Sequence, residues 1–181
     1  MWRRLPFLIW FCLSATYAGA EVDLTKRQQK LFDSIKPMVL QIDPLGVDIA
    51  AFLAIEAQKA GVRRFRSMKP SEKPKITHPK QTGCGQAKFS SKEVLIDTDQ
   101  RRCVNLHNFM HEIAHIGVLR KNCKGHGDIF YWYNYALAQR METAIPRSKR
   151  WRTTPTKAVL RRAAEYRSFD ERCRGGKPFP G

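Results

Sequence analysis

The five residues His111-Glu112-Ile113-Ala114-His115 constrain this chain more than any other stretch. On an α-helix, residues four apart stand one turn above each other, so the two histidines project from one face. Two neutral imidazoles held that way can grip one zinc ion. Glu112 then sits beside the metal, placed to take a proton from a zinc-bound water. The flanks suit a buried helix: Leu106, Met110, Ile113, Ala114 and Val118 are apolar and no proline interrupts them. The spacing therefore predicts a helix over 104–119. His107 lies one turn before His111 on the same side and is read as part of a polar patch or as a neighbour of the ligands, not as a ligand. The competing reading is a surface helix with two unrelated histidines.

A zinc site with an open position for water needs a third protein ligand. Gly125-His126-Gly127-Asp128-Ile129-Phe130 follows after a short polar connection that can turn the chain back, and the glycines allow His126 to be aimed from a tight turn. An H-E-x-x-H followed by G-H-G-x-x-F resembles the SprT-like zinc metallopeptidases, part of a wider gluzincin-like group. Upstream, Gln86-Ala87-Lys88-Phe89 and then Glu93-Val94-Leu95-Ile96-Asp97 look like that family's hairpin leading into the active helix. The resemblance covers about residues 83–142. It implies His111, His115 and His126 as zinc ligands and Glu112 as general base and acid. Metzincins match less well: they need glycine three and histidine six residues after the second histidine, where this chain has Val118 and Lys121.

In zinc peptidases of this general build an edge strand beside the active helix holds an extended substrate by strand addition, and 94–97 is the nearest candidate here. After Gly127 a helix is expected over 129–143, with Phe130, Asn134, Leu137 and Met141 on one face. A tyrosine hydroxyl near the metal could stabilise the oxyanion of a tetrahedral intermediate, and Tyr131 and Tyr133 are the candidates.

The rest of the chain gives an address and a frame. Arg3 and Arg4, an apolar run over 5–13 and Ala18-Gly19-Ala20 read as a signal peptide over 1–20, followed by a single domain over 21–181. An uncleaved N-terminal anchor is the alternative. No other stretch is apolar for long enough to span a bilayer, so no transmembrane helix is expected in the mature chain. Cys12 leaves with the signal. Cys84, Cys103, Cys123 and Cys173 remain, an even number that suits two disulfides in an exported chain. The favoured pairing of the three possible ones joins Cys84 to Cys103, stapling the hairpin to the active helix, and Cys123 to Cys173, tying the His126 loop to the tail.

Net charge is +17, and losing Arg3 and Arg4 with the signal leaves +15. Such a surface attracts anionic polymers, lipid headgroups or nucleic acid without distinguishing them. Intracellular SprT-like proteins act around DNA-bound proteins, but an export signal argues against nucleic acid here and for the periplasm or the exterior.

Apolar spacing predicts helices over 24–43, with a weak point at Pro37, and over 47–60, ended by Gly61. An edge strand is expected at 62–66, a surface loop over 68–81, two strands at 87–89 and 94–96, and a last helix over 157–169. The expected class is α+β: N-terminal helices, a short three-stranded antiparallel sheet, the H-E-x-x-H helix and C-terminal helices. The expected function is hydrolysis of peptide bonds in a peptide or protein substrate by an exported, zinc-dependent enzyme. Two alternatives stay open: a hydrolase of cell-wall peptide cross-links, and a non-catalytic, zinc-bearing binding module of the envelope.

Overall fold

The first helix, α1 (Lys26–Leu40), begins where a reciprocal cap satisfies two backbone donors that no helical carbonyl can reach. Thr25 Oγ1 accepts from the Gln28 N–H, and Gln28 Oε1 accepts from the Thr25 N–H. The helix runs through Pro37, which is exposed, while Leu31, Phe32, Ile35, Met38 and Val39 are buried. Helix α2 (Val47–Ala60) is rich in alanine and buried on most of its circumference, so neighbours approach it from several sides. Gly61, at φ 88°, ends it in the left-handed conformation and returns its N–H to Ala57 and Gln58. The buried carboxylate of this helix, Glu56, is held by Lys59 and Arg140 at 2.8 Å each.

The structure, a computed structural model, describes residues 23–75, 83–119 and 128–145. The signal segment expected over 1–20, His126, Cys123, Cys173 and the helix expected over 157–169 lie outside the described residues.

Three four-residue strands follow, β1 (Arg64–Ser67), β2 (Gly85–Lys88) and β3 (Glu93–Ile96), in the spatial order β1-β3-β2. The sheet is mixed, which corrects the antiparallel expectation: β2 and β3 form a hairpin, whereas β1 runs parallel to β3. The cause is the long connection after β1, since parallel neighbours need a crossover that a tight turn cannot supply. It also makes β3 the central strand, paired on both sides, so 94–97 is not the open edge expected of it. The outer side of β1 meets α1, where the Phe65 N–H donates to Ser34 Oγ.

The connection is not the plain loop expected. Pro70–Glu72 is a 3-10 turn, and Glu72 accepts from Arg66 at 2.6 and 2.7 Å and from Lys88, fastening the turn to both margins of the sheet. Arg66, then Lys88, hold the Glu72 carboxyl well below the usual carboxylate range. Lys73 reaches Asp97 at 2.9 Å and Asp99 at 2.7 Å.

Helix α3 (Leu106–Leu119) is capped by Asn105, whose Oδ1 accepts from the Asn108 N–H. It packs on β2 and β3 with one side and on α2 with another. Helix α4 (Asp128–Ala144) buries Phe130, Asn134, Leu137 and Met141, the face expected, against α3 and α2. The class is α+β.

Cys84 and Cys103 are joined in a disulfide, as expected, closing a loop of sequence separation 19 just before α3. Its cross-link removes unfolded-state freedom worth about 3 kcal/mol for a loop of this size. Replacing both cysteines by serine should lower stability by that amount, read from denaturant midpoints. An unchanged midpoint would show that the staple holds nothing the fold does not already hold.

Candidate metal centre

The site begins with α3. One face of the helix is apolar and packs on the sheet and α2, so the histidines are left on the remaining sector, where all three are half-buried. The rings of His111 and His115 have centroids 4.9 Å apart and stand at 80° to each other. Two imidazoles bound to one tetrahedral ion through nitrogens about 2 Å from it would have ring centroids about 5 Å apart. The pair therefore fits a shared zinc ion. His107 continues the row one turn earlier, its ring 5.9 Å from that of His111. Its Nδ1 is buried without a hydrogen-bond partner, and burial lowers the pKa of the ring.

Phe130, brought in by α4, covers both imidazoles, with its ring 4.8 Å from His111 and 4.5 Å from His115. Its apolar ring shields part of both candidate ligands and lowers the dielectric beside them. Tyr131 stands at 80° to Phe130 with centroids 5.6 Å apart, and is partly buried against the core. Tyr133 is elsewhere. A Cβ on Gly117 would lie 2.5 Å from Cζ and 2.8 Å from the hydroxyl of Tyr133, so this ring fills the hollow that the glycine leaves. Two residues along a helix is roughly 200° of rotation, so Gly117 faces away from His115. The Tyr133 hydroxyl thus packs behind the helix, and Tyr131 is the tyrosine left as an oxyanion candidate.

Glu112 is 6 % exposed. Burial raises its carboxyl pKa to about 8, against a hydrogen bond donated by the Ala87 backbone N–H. That donor lies on the free side of β2. In the β2–β3 ladder the Asp97 N–H donates to the Cys84 carbonyl, so residues 84, 86 and 88 are the ones that bond to β3. Backbone groups of Gly85 and Ala87 then point the other way, off the sheet. A Cβ on Gly85 would lie 2.6 Å from Oε1, 2.7 Å from Cγ and 2.9 Å from Cδ of Glu112. The carboxylate is accordingly wedged against the margin of β2 that faces away from β3, at a place only glycine permits. Sequence reasoning missed this contact. Its available signal was the run Gly85, Ala87, Phe89, alternate residues on one face of a strand that grow from no side chain to a benzyl group.

Among the described residues no group of three or more His, Cys, Asp or Glu side chains could hold a metal ion, and the third expected ligand, His126, lies outside them. Among the same residues no helix is long and apolar enough to cross a membrane.

Set against protein-family models, curated proteins and solved structures, the chain matches none of them.

Proposed function

We propose that this chain is an exported zinc metallopeptidase of SprT-like build, cutting peptide bonds in a peptide or protein substrate. The observation that carries the reading is a pair of imidazoles at the spacing of ligands to one ion, next to a buried carboxylate at the margin of β2 that faces away from β3. His111, His115 and His126 would hold the zinc. Bound there, zinc supplies Lewis acidity, polarising a carbonyl and making water a nucleophile at neutral pH.

The chain's own residues do the rest. The outward N–H and C=O of Gly85 and the outward C=O of Ala87, whose N–H stays with Glu112, pair with an extended substrate backbone and draw it along β2 beside α3. Glu112 takes a proton from the attacking water and returns it to the leaving nitrogen. Burial makes its carboxylate a stronger base than one in water. Phe130 keeps bulk water off the imidazoles. Tyr131 is the hydroxyl available to the developing oxyanion.

The test is metal content measured with digestion. The purified chain should carry about one zinc and cleave an unfolded protein, His111→Ala should lose the metal, and chelation should stop cleavage until zinc is restored. Digestion of purified cell wall but not of unfolded protein would move the substrate to peptide cross-links of the wall. Loss of zinc that unfolds the chain, with no cleavage of either substrate beforehand, would make it a binding module instead of an enzyme.

A further inference from the structure

Three large apolar side chains are exposed among the described residues: Leu45, Val47 and Phe89. The first two lie at the turn between α1 and α2. Phe89 is different, because its ring stands edge-on to His115 at 6.3 Å while 37 % of the residue remains open to solvent. It is the first residue past the end of β2, in phase with Gly85 and Ala87. Gly85 and Ala87 meet Glu112, through the space a Cβ on Gly85 would need and through the Ala87 N–H, whereas Phe89 brings a partly open aromatic surface to the next position along the same strand margin.

From this placement we infer that Phe89 is the specificity-determining residue of the site, selecting substrates with a large apolar side chain at the position that lies alongside it. The inference rests on the peptidase reading above. A substrate strand paired to the free margin of β2 sets its side chains beside those of the strand, at the distance where aromatic and branched aliphatic groups pack on an aromatic ring. Leucine, isoleucine, phenylalanine or methionine at that position covers the exposed part of Phe89, while serine or aspartate leaves it wet. Discrimination of this kind is on the order of 10-fold in kcat/KM, the scale of a methylene or two in an apolar pocket. Phe89 forms no bond to the reacting atoms and acts on which peptide is held.

The test uses the full chain loaded with zinc and a peptide library varied one position at a time. Wild type is expected to favour a large apolar residue at one position by about 10-fold. Phe89→Ser should reduce that ratio toward unity through KM, and Phe89→Leu should restore most of it, both with unchanged zinc content and melting temperature. Cleavage without apolar preference, or a preference that survives Phe89→Ser, overturns the inference and leaves the peptidase reading standing. If wild type cleaves nothing, the peptidase reading is the one that falls. Binding of matched leucine and serine peptides then decides the role of Phe89: weaker binding of the leucine peptide by Phe89→Ser supports it, and equal binding by both proteins rejects it.

Discussion

Glu112→Gln should leave the metal in place and lower the cleavage rate by 10²-fold to 10⁴-fold, the contribution of a positioned general base. The amide keeps the size of the carboxylate and can still accept from the Ala87 N–H, so β2 and α3 have no reason to part. What is lost is the proton acceptor. The same substitution has a second effect in the metal-free protein. Burial raises the carboxyl from 4.5 to about 8, so between those values the folded chain holds a proton that the unfolded chain has released. Stability of the metal-free wild type therefore falls as pH rises through that window and levels off above it, by an amount on the order of several kcal/mol. A glutamine does not ionise, so the variant should not show this fall. A cation beside the carboxylate favours its charged form, and loading the metal should shrink the difference. Denaturant midpoints at about pH 5 and about pH 9, with and without zinc, measure all of this. Wild-type turnover in Glu112→Gln would end the catalytic assignment.

Gly85→Ala is expected to be nearly as damaging to turnover while touching no atom of the chemistry. The added methyl would stand 2.6 Å from Glu112 Oε1, inside any allowed contact. Something must yield. The strand is pinned on one side by the Cys84–Cys103 bridge and on the other by its ladder to β3, so the carboxylate is the mobile partner. Turned out of the groove, it gives up the Ala87 donor and the position from which it could reach an attacking water. Misplacement by about 1 Å costs on the order of 10²-fold in rate, and overpacking at such a site destabilises by about 1–3 kcal/mol. Zinc content should hold, because the imidazoles are not displaced. Gln86→Ala, at an exposed neighbour on the same strand, serves as the control and should behave as wild type. A Gly85→Ala protein with full activity and an intact fold would show that the carboxylate does not work from this position.

The helices were legible because helical burial is periodic. The apolar positions of 24–43, 47–60 and 129–143, and the three histidines at intervals of four, follow directly from residue order. Strand direction is not local in that sense. Residues 62–66 read as a strand from their own composition, close to the β1 of the structure, but whether β1 runs with or against β3 depends on the path of a connection whose course its prolines and lysines do not dictate. The same holds for which strand lies at the margin: 94–96 read correctly as a strand, and only its neighbours make it central. The packing of Tyr133 is not legible from residue order because the hollow it fills is made by Gly117 on another helix. Glu112 was placed beside the histidines by spacing alone, whereas its burial comes from β2, and nothing in a five-residue motif encodes a strand.

Ser34, reaching from α1 to the Phe65 amide, has a consequence for how copies of this chain can meet. Among the described residues one flank of the sheet is covered by the protein's own helix, leaving on the opposite flank the outward backbone of Gly85 and the Ala87 carbonyl as a berth for a guest strand. Two molecules could dock through those berths and would then be mutually sealed. A ribbon, which needs every molecule to accept on one flank and offer on the other, would meet α1 at the β1 flank.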